Sequence, residues 1–198
     1  MKSKKFLSLF TFIVITIINI NYSYSIEPDV FVQSTVNRAS EALNNKYSKK
    51  EKIKKLKEIA SETVDIKGIG YYTLGAYRKN ISDDQIKKYN TLFEQYFLKS
   101  FSSRLAEYSN PEIEVTSKKE LNKNYTMVSS KLVATEQRPE VKIDWRIYTK
   151  NPEHLLIRDL IIEGLSLART QKEEFSSIIE SNDGDINALF ATLKDFIK

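Results

Sequence analysis

The chain has 198 residues, 41% of them hydrophobic and 29% charged, the balance of a globular chain with a real core and not of a disordered one. It has no cysteine and one histidine, which excludes disulfides, thiolate metal sites, cysteine nucleophiles and any site that needs two imidazoles. The net charge of +5 overstates its basicity: Lys2, Lys4 and Lys5 precede Ile26 while all 26 acidic residues follow it, leaving 28 basic against 26 acidic, so nucleic-acid binding has no electrostatic support.

The first residues have the pattern of an export signal. Three lysines lead an apolar stretch from Phe6 to Ile20, and Ser23-Tyr24-Ser25 offers small residues at a cleavage spacing. The apolar stretch is shorter than the ~20 residues a membrane span needs. We therefore read residues 1–25 as a cleaved signal peptide and residues 26–198 as a single domain.

After Pro28, Val32, Val36, Ala39 and Leu43 recur at helical spacing, and Ile53, Leu56, Ile59 and Ala60 do so in the next segment. Lys49, Lys50, Lys52, Lys54, Lys55 and Lys57 fall largely on the outer face of that second helix. Asp65 is placed to cap a third helix carrying Ile66, Ile69, Leu74 and Tyr77. Gly68, Gly70 and Gly75 lie inside it, which calls for close approach of another backbone or of a ligand or, equally, a kinked or 3₁₀ segment. The next helix has a clear start, with Ser82 as cap, Gln85 reaching back, and Asp83 and Asp84 at the positive end of the macrodipole. Ile86, Tyr89, Phe93, Phe97 and Phe101 continue one face until Asn110-Pro111. That stripe is either plain core or the wall of a cavity.

From Glu112 the period changes to two. Ile113 and Val115 mark a first strand and Tyr125 to Thr135 a second. In the third, Val141, Ile143, Trp145 and Ile147 alternate with Lys142, Asp144, Arg146 and Tyr148. The fourth runs from Leu155 to Ile162, apolar on both sides apart from Arg158 and Asp159, and closes at the corner Glu163-Gly164-Leu165-Ser166. Short connections favour sequential antiparallel neighbours, so the fold class is α+β, with a meander sheet of about four strands covered by N-terminal and C-terminal helices. The C-terminal helices carry Ala168, Phe175, Ile178 and Ile179, then Ile186, Leu189, Phe190, Leu193, Phe196 and Ile197, separated by Asn182-Asp183-Gly184.

Catalytic patterns are sparse. Gly164-Leu165-Ser166-Leu167-Ala168 falls one residue short of a nucleophile elbow, but the only histidine, His154, precedes the serine, and Ser166 reads as a helix cap. Asp159 and Glu163 would stand ~13 Å apart on one strand face, too far for a carboxylate pair. No phosphate loop or metal constellation is present, and no cofactor is expected. A surplus of apolar surface remains, either solid core or a slot for a hydrophobic guest.

Leu74-Gly75-x-Tyr77, followed by Gln85, Tyr89, Phe93 and Tyr96-Phe97-Leu98, resembles the helical half of the periplasmic Mla phospholipid-transport family, also called the toluene-tolerance family. Arg138-Pro139, Val141-x-Ile143-Asp144-Trp145 and Asp159-x-x-x-Glu163-Gly164-Leu165-Ser166 resemble its strands and corner motif, and the likeness extends over Val30 to Ile197. Arg158 stands where many relatives have an aromatic residue, and Ile147 where some have tryptophan. The resemblance implies a periplasmic, monomeric, non-enzymatic carrier that holds a phospholipid by its acyl chains. It would exchange that cargo with an inner-membrane ABC lipid transporter complex and an outer-membrane lipoprotein complex, maintaining outer-membrane lipid asymmetry.

Under that reading the floor of the lipid slot is Val141, Ile143, Trp145, Ile147, Leu160 and Ile162, and its roof is Leu74, Tyr77, Phe93 and Phe97. The alternatives are an exported small-molecule-binding or enzymatic domain, for which Asp159 is the one inward polar candidate, and a structural adaptor with a filled core.

Overall fold

The computed structural model of the protein describes residues 25–136 and 138–198; the expected export signal, apart from Ser25, lies outside the described residues. Helix α1 (Pro28–Ala42) opens with proline in its first turn, where no N–H is missed, and buries Val32, Thr35, Val36 and Ala42. Helix α2 (Lys49–Thr63) starts at a capping box: the Ser48 hydroxyl accepts from Glu51 N, and the Glu51 carboxylate accepts from Ser48 N at 2.8 Å. Most of its lysines face solvent, but Lys52 is only 7% exposed, so it departs from the outer face that helical spacing assigned it.

Helix α3 (Ile66–Thr73) is capped as expected, with the Asp65 carboxylate accepting from Gly68 N at 2.7 Å. It does not run on to Tyr77. Gly75 adopts φ +55°, where a side chain is strained, and the chain passes into the short 3₁₀ helix η1 (Gly75–Lys79). Close approach explains another of the three glycines. A Cβ on Gly70 would lie 2.9 Å from Cδ1 of Phe93, so the ring packs onto bare backbone. Gly70→Ala is expected to force the Phe93 ring out of its place and lower stability by about 1–2 kcal/mol, measured by denaturant unfolding.

The long helix α4 (Asp83–Leu105) begins at the second capping box, Ser82 with Gln85. Its fully buried Tyr89 is anchored by polar contacts within the core. Thr73 Oγ1 donates to Gly70 O at 2.9 Å, which leaves Tyr89 to donate to Thr73 Oγ1 at 2.8 Å, and burial pushes the phenol pKa up so that the donor keeps its proton.

Strands β1 (Ile113–Asn122), β2 (Tyr125–Leu132), β3 (Val141–Tyr148), β4 (Leu156–Ile162) and β5 (Leu165–Ser166) form an antiparallel meander in the order β1-β2-β3-β4-β5. The two-residue β5 brings the expected meander of about four strands to five. Glu163 (φ 49°) and Gly164 (φ 83°) both take the left-handed region, the requirement of a two-residue type I′ hairpin, and Leu165 returns beside Ile162. The expected strand-corner-helix is therefore strand, hairpin, helix. Ser166 then caps α5 (Leu167–Glu180), accepting from Arg169 N at 3.1 Å, and α6 (Ile186–Ile197) follows a turn closed by Gly184 N donating to Ile179 O.

The main core joins one sheet face (Val128, Trp145, Ile147, Ile157) to Val32 and Val36 of α1, Ile66 and Ile69 of α3, Tyr89 and Phe93 of α4, and the apolar faces of α5 and α6. A smaller cluster of Ala42, Leu43, Leu56, Ile59 and Ala106 ties α1 and α2 to the end of α4. Helix α1 lies along β1 and β2, while α3 and α5 lie along β4. Helix α4 instead packs mainly on α2, α3 and α6.

Candidate functional site

The site is built on the β3–β4 pair. Ile143 stands opposite Ile162 and Trp145 opposite Leu160, which puts the four side chains on one face. The register then slips by one residue, so that Ile147 pairs with Ile157 and Arg158 is bulged out of the ladder. Without that bulge Ile157 and Leu160, an odd number of residues apart, would point to opposite faces. Trp145 keeps its one donor satisfied inside the sheet, giving its Nε1–H to Ser130 Oγ at 2.8 Å.

The ten residues predicted to form a slot fall into two groups. Leu74, Phe93, Trp145 and Ile147 are buried in the main core, the first and last completely. Tyr77, Phe97, Val141, Ile143, Leu160 and Ile162 are half-buried. Along α4 the rings form a ladder. Tyr89 stacks on Phe93 at 5.6 Å between centroids, Phe93 meets Phe97 at 6.1 Å, and Phe97 stacks on Phe101 at 5.7 Å. Burial falls along this ladder from Tyr89 and Phe93 to the half-buried Phe97 and Phe101, as it falls along β3 from Ile147 to Ile143 and Val141. Each element thus has one sealed end and one accessible apolar end.

Two surface clefts lie elsewhere, and none of the ten residues lines either. One, of about 570 Å³, is polar and runs between α1 and β1. There Gln33 closes the sheet edge, its Oε1 accepting from Val115 N at 3.2 Å. The other, of about 420 Å³, is lined by Gly68, Ile69 and Tyr72 of α3, Leu121, Asn122 and Tyr125 at the β1–β2 turn, Arg146, Arg158, and Ala168 at the start of α5.

Charges concentrate around this second cleft. The Asp159 carboxylate, 3% exposed as a residue, accepts from Ser166 Oγ at 2.6 Å and from Ala168 N at 3.0 Å, with Arg146 Nη1 at 3.4 Å. It therefore fastens the start of α5 to β4. The bulged Arg158 sets its Nε 2.5 Å from Asp65 Oδ2 and its guanidinium 4.7 Å from the Tyr148 ring centroid. Gly68 makes room for it, since a Cβ there would lie 2.6 Å from Arg158 Cζ. His154 is exposed. No cluster of metal-ligating side chains occurs among the described residues, and no helix among them is long and apolar enough to cross a membrane.

An antiparallel meander backed by helices, with an apolar face left accessible at one end, defines the class of fold. The phospholipid-binding protein from Ralstonia solanacearum, solved in complex with a phospholipid, has the same architecture, with a TM-score of 0.72 over 87% of this chain and 97% of that one at 17% sequence identity. Residues 33–195 match the MlaC protein family, and the chain belongs to that family.

Proposed function

We propose that this chain is an exported phospholipid carrier of the periplasm, with a single domain beginning near Ile26 that shuttles lipid as a monomer between membrane complexes. The observation that carries the reading is the fall in burial along the apolar faces of β3 and α4; on this reading Val141, Ile143, Leu160 and Ile162 are the floor of the slot and Phe97 its roof. Trp145, Ile147, Leu74 and Phe93 close the deep end, with Tyr77 beside them. Membership of the MlaC family and the fold held in common with a phospholipid-bound protein support it.

Energetics make such a slot reasonable. Hiding a CH₂ group from water contributes roughly 0.8 kcal/mol, so two exposed acyl chains would cost on the order of 20 kcal/mol. A carrier must cover nearly all of that surface. A bilayer returns a similar sum, so exchange with membranes runs close to balance and direction is set by the partners: an inner-membrane ABC lipid transporter complex on one side and an outer-membrane lipoprotein complex on the other. Nothing in this task requires a catalytic group, and the buried Asp159 carboxylate serves to fasten α5 to β4.

Protein purified from the periplasm of a Gram-negative host is expected to carry phospholipid, detected by solvent extraction and mass spectrometry at a near-constant ratio to protein. Repeated recovery of empty protein would instead favour an adaptor with a filled core.

A further inference from the structure

We propose that Arg146 and Arg158 form a two-armed site for a phosphate group in the cleft between α3, the β1–β2 turn and the β4 bulge. Its occupant is either the headgroup phosphate of a bound lipid or a free phosphate ion. Only the first of these rests on the carrier reading above.

The two arginines converge on one cleft of about 420 Å³. Each has donors to spare. Arg146 Nη1 lies 3.4 Å from Asp159, too poorly angled for a hydrogen bond, and its side chain is 40% exposed. Arg158 sets Nε 2.5 Å from Asp65, buried and with no hydrogen bond of good angle. Neither guanidinium donates a hydrogen bond to another described residue, although such a group carries five N–H donors in a planar fork suited to the paired oxygens of a phosphate.

The aspartates do not cancel this. Asp159 gives one oxygen to Ser166 and the other to Ala168 N, and Asp65 gives one to Gly68 N and the other to Arg158. Three of their four oxygens already accept a hydrogen bond that fastens β4, α5 or α3. They also keep two neighbouring guanidinium groups from repelling each other when the cleft is empty. Nearby, Lys172 Nζ lies 5.5 Å from the ring centroid of Tyr72, which lines the cleft.

Two further features suit a lipid phosphate. Arg158 is held flat, with Tyr148 at 4.7 Å and the bare backbone of Gly68 beside it, so its fork is ordered before any ligand arrives. The cleft lining includes Ile69 and Ala168, both members of the main apolar core, so part of its wall is apolar. Such a site reads the phosphate and ignores the alcohol beyond it. It accepts phosphatidylethanolamine and phosphatidylglycerol alike and disfavours diacylglycerol.

The test uses delipidated protein incubated with vesicles of phosphatidylethanolamine and phosphatidylglycerol containing diacylglycerol, re-isolated and extracted. A parallel arm titrates inorganic phosphate into lipid-free protein and follows phosphorus NMR line width. Wild type is expected to enrich phospholipid over diacylglycerol by at least about tenfold relative to the vesicles, the least that one charge-assisted hydrogen bond provides. Arg146→Gln with Arg158→Gln should bring that ratio back to the vesicle composition. The Arg146→Lys and Arg158→Lys variants retain the charges beside Asp159 and Asp65 but lose the fork, and should lose most of the enrichment while melting close to wild type.

Phosphate broadening seen in wild type and absent from the double variant would support the site with a free ion as occupant. Equal lipid ratios in wild type and variants together with no phosphate broadening would overturn the proposal, even if the wild type carries phospholipid and the carrier reading stands. A wild type that takes up no lipid of any kind would sink the carrier reading instead, and the phosphate arm would then decide the site alone.

Discussion

Asp159→Ala is expected to lower stability by about 3 kcal/mol, roughly 10 °C in Tm for a chain of this size. The residue is 3% exposed and bonded to Ser166 Oγ and Ala168 N. Removing the carboxylate strands the Ala168 amide, one of the orphan donors at the start of α5, in a buried place. It also frees α5, whose Phe175 and Ile179 belong to the main core, from its attachment to β4. Little of the loss comes from Arg146, because that side chain is 40% exposed and its ion pair is screened by water. Ser166→Ala, which removes one hydrogen bond and the cap of α5, should cost only about 1 kcal/mol. Urea unfolding of the two variants measures both, and an Asp159→Ala protein within about 0.5 kcal/mol of wild type would show that the carboxylate does not fasten the helix.

What could be read from the sequence was whatever depends on neighbours close along the chain. Ser82 and Gln85 are three residues apart, and the box they form is visible from type and spacing alone. The Ser48–Glu51 box that opens α2 is equally local, a serine followed three residues later by a glutamate. The alternation of Val141, Ile143, Trp145 and Ile147 places these side chains on one face without any knowledge of the fold. Strand β5 escapes such reasoning, because two residues are too few to show a period. Its type I′ turn is also built from Glu163-Gly164 in place of the usual Asn-Gly or Asp-Gly.

The features missed at the site depend on distant contacts. Arg158 reads as one more alternating residue because β4 is apolar on both sides, and only the pairing with β3 reveals the bulge. Its partner Asp65 lies 93 positions earlier in the chain, already accounted for as the cap of α3. The requirement for glycine at position 68 follows from both together, since the guanidinium rests where a side chain would be. Burial was likewise beyond pattern. Ile143 and Ile147 share type and face, but one is half-buried and the other completely covered, a difference the alternating pattern does not carry.

That difference within a single strand face leads to the second large effect. Ile143→Asp or Leu160→Asp is expected to abolish lipid retention with the melting temperature lowered by only a few degrees, whereas Val36→Asp should prevent folding. Val36 is 2% exposed between α1 and the sheet, so a carboxylate there has neither water nor a cation within reach, a penalty comparable to the whole stability of a domain. Ile143 and Leu160 are half-buried at the accessible end of the face, where a carboxylate can reach water when no lipid is present. With lipid present it would face an acyl chain, and its desolvation would then oppose loading. Circular dichroism melts set beside lipid per protein separate the cases. Slot variants that unfold along with their lipid loss would place these positions in a solid core. Variants that stay folded with lipid still bound would show that the acyl chains run elsewhere, the region of the Arg146–Arg158 cleft being the next to probe.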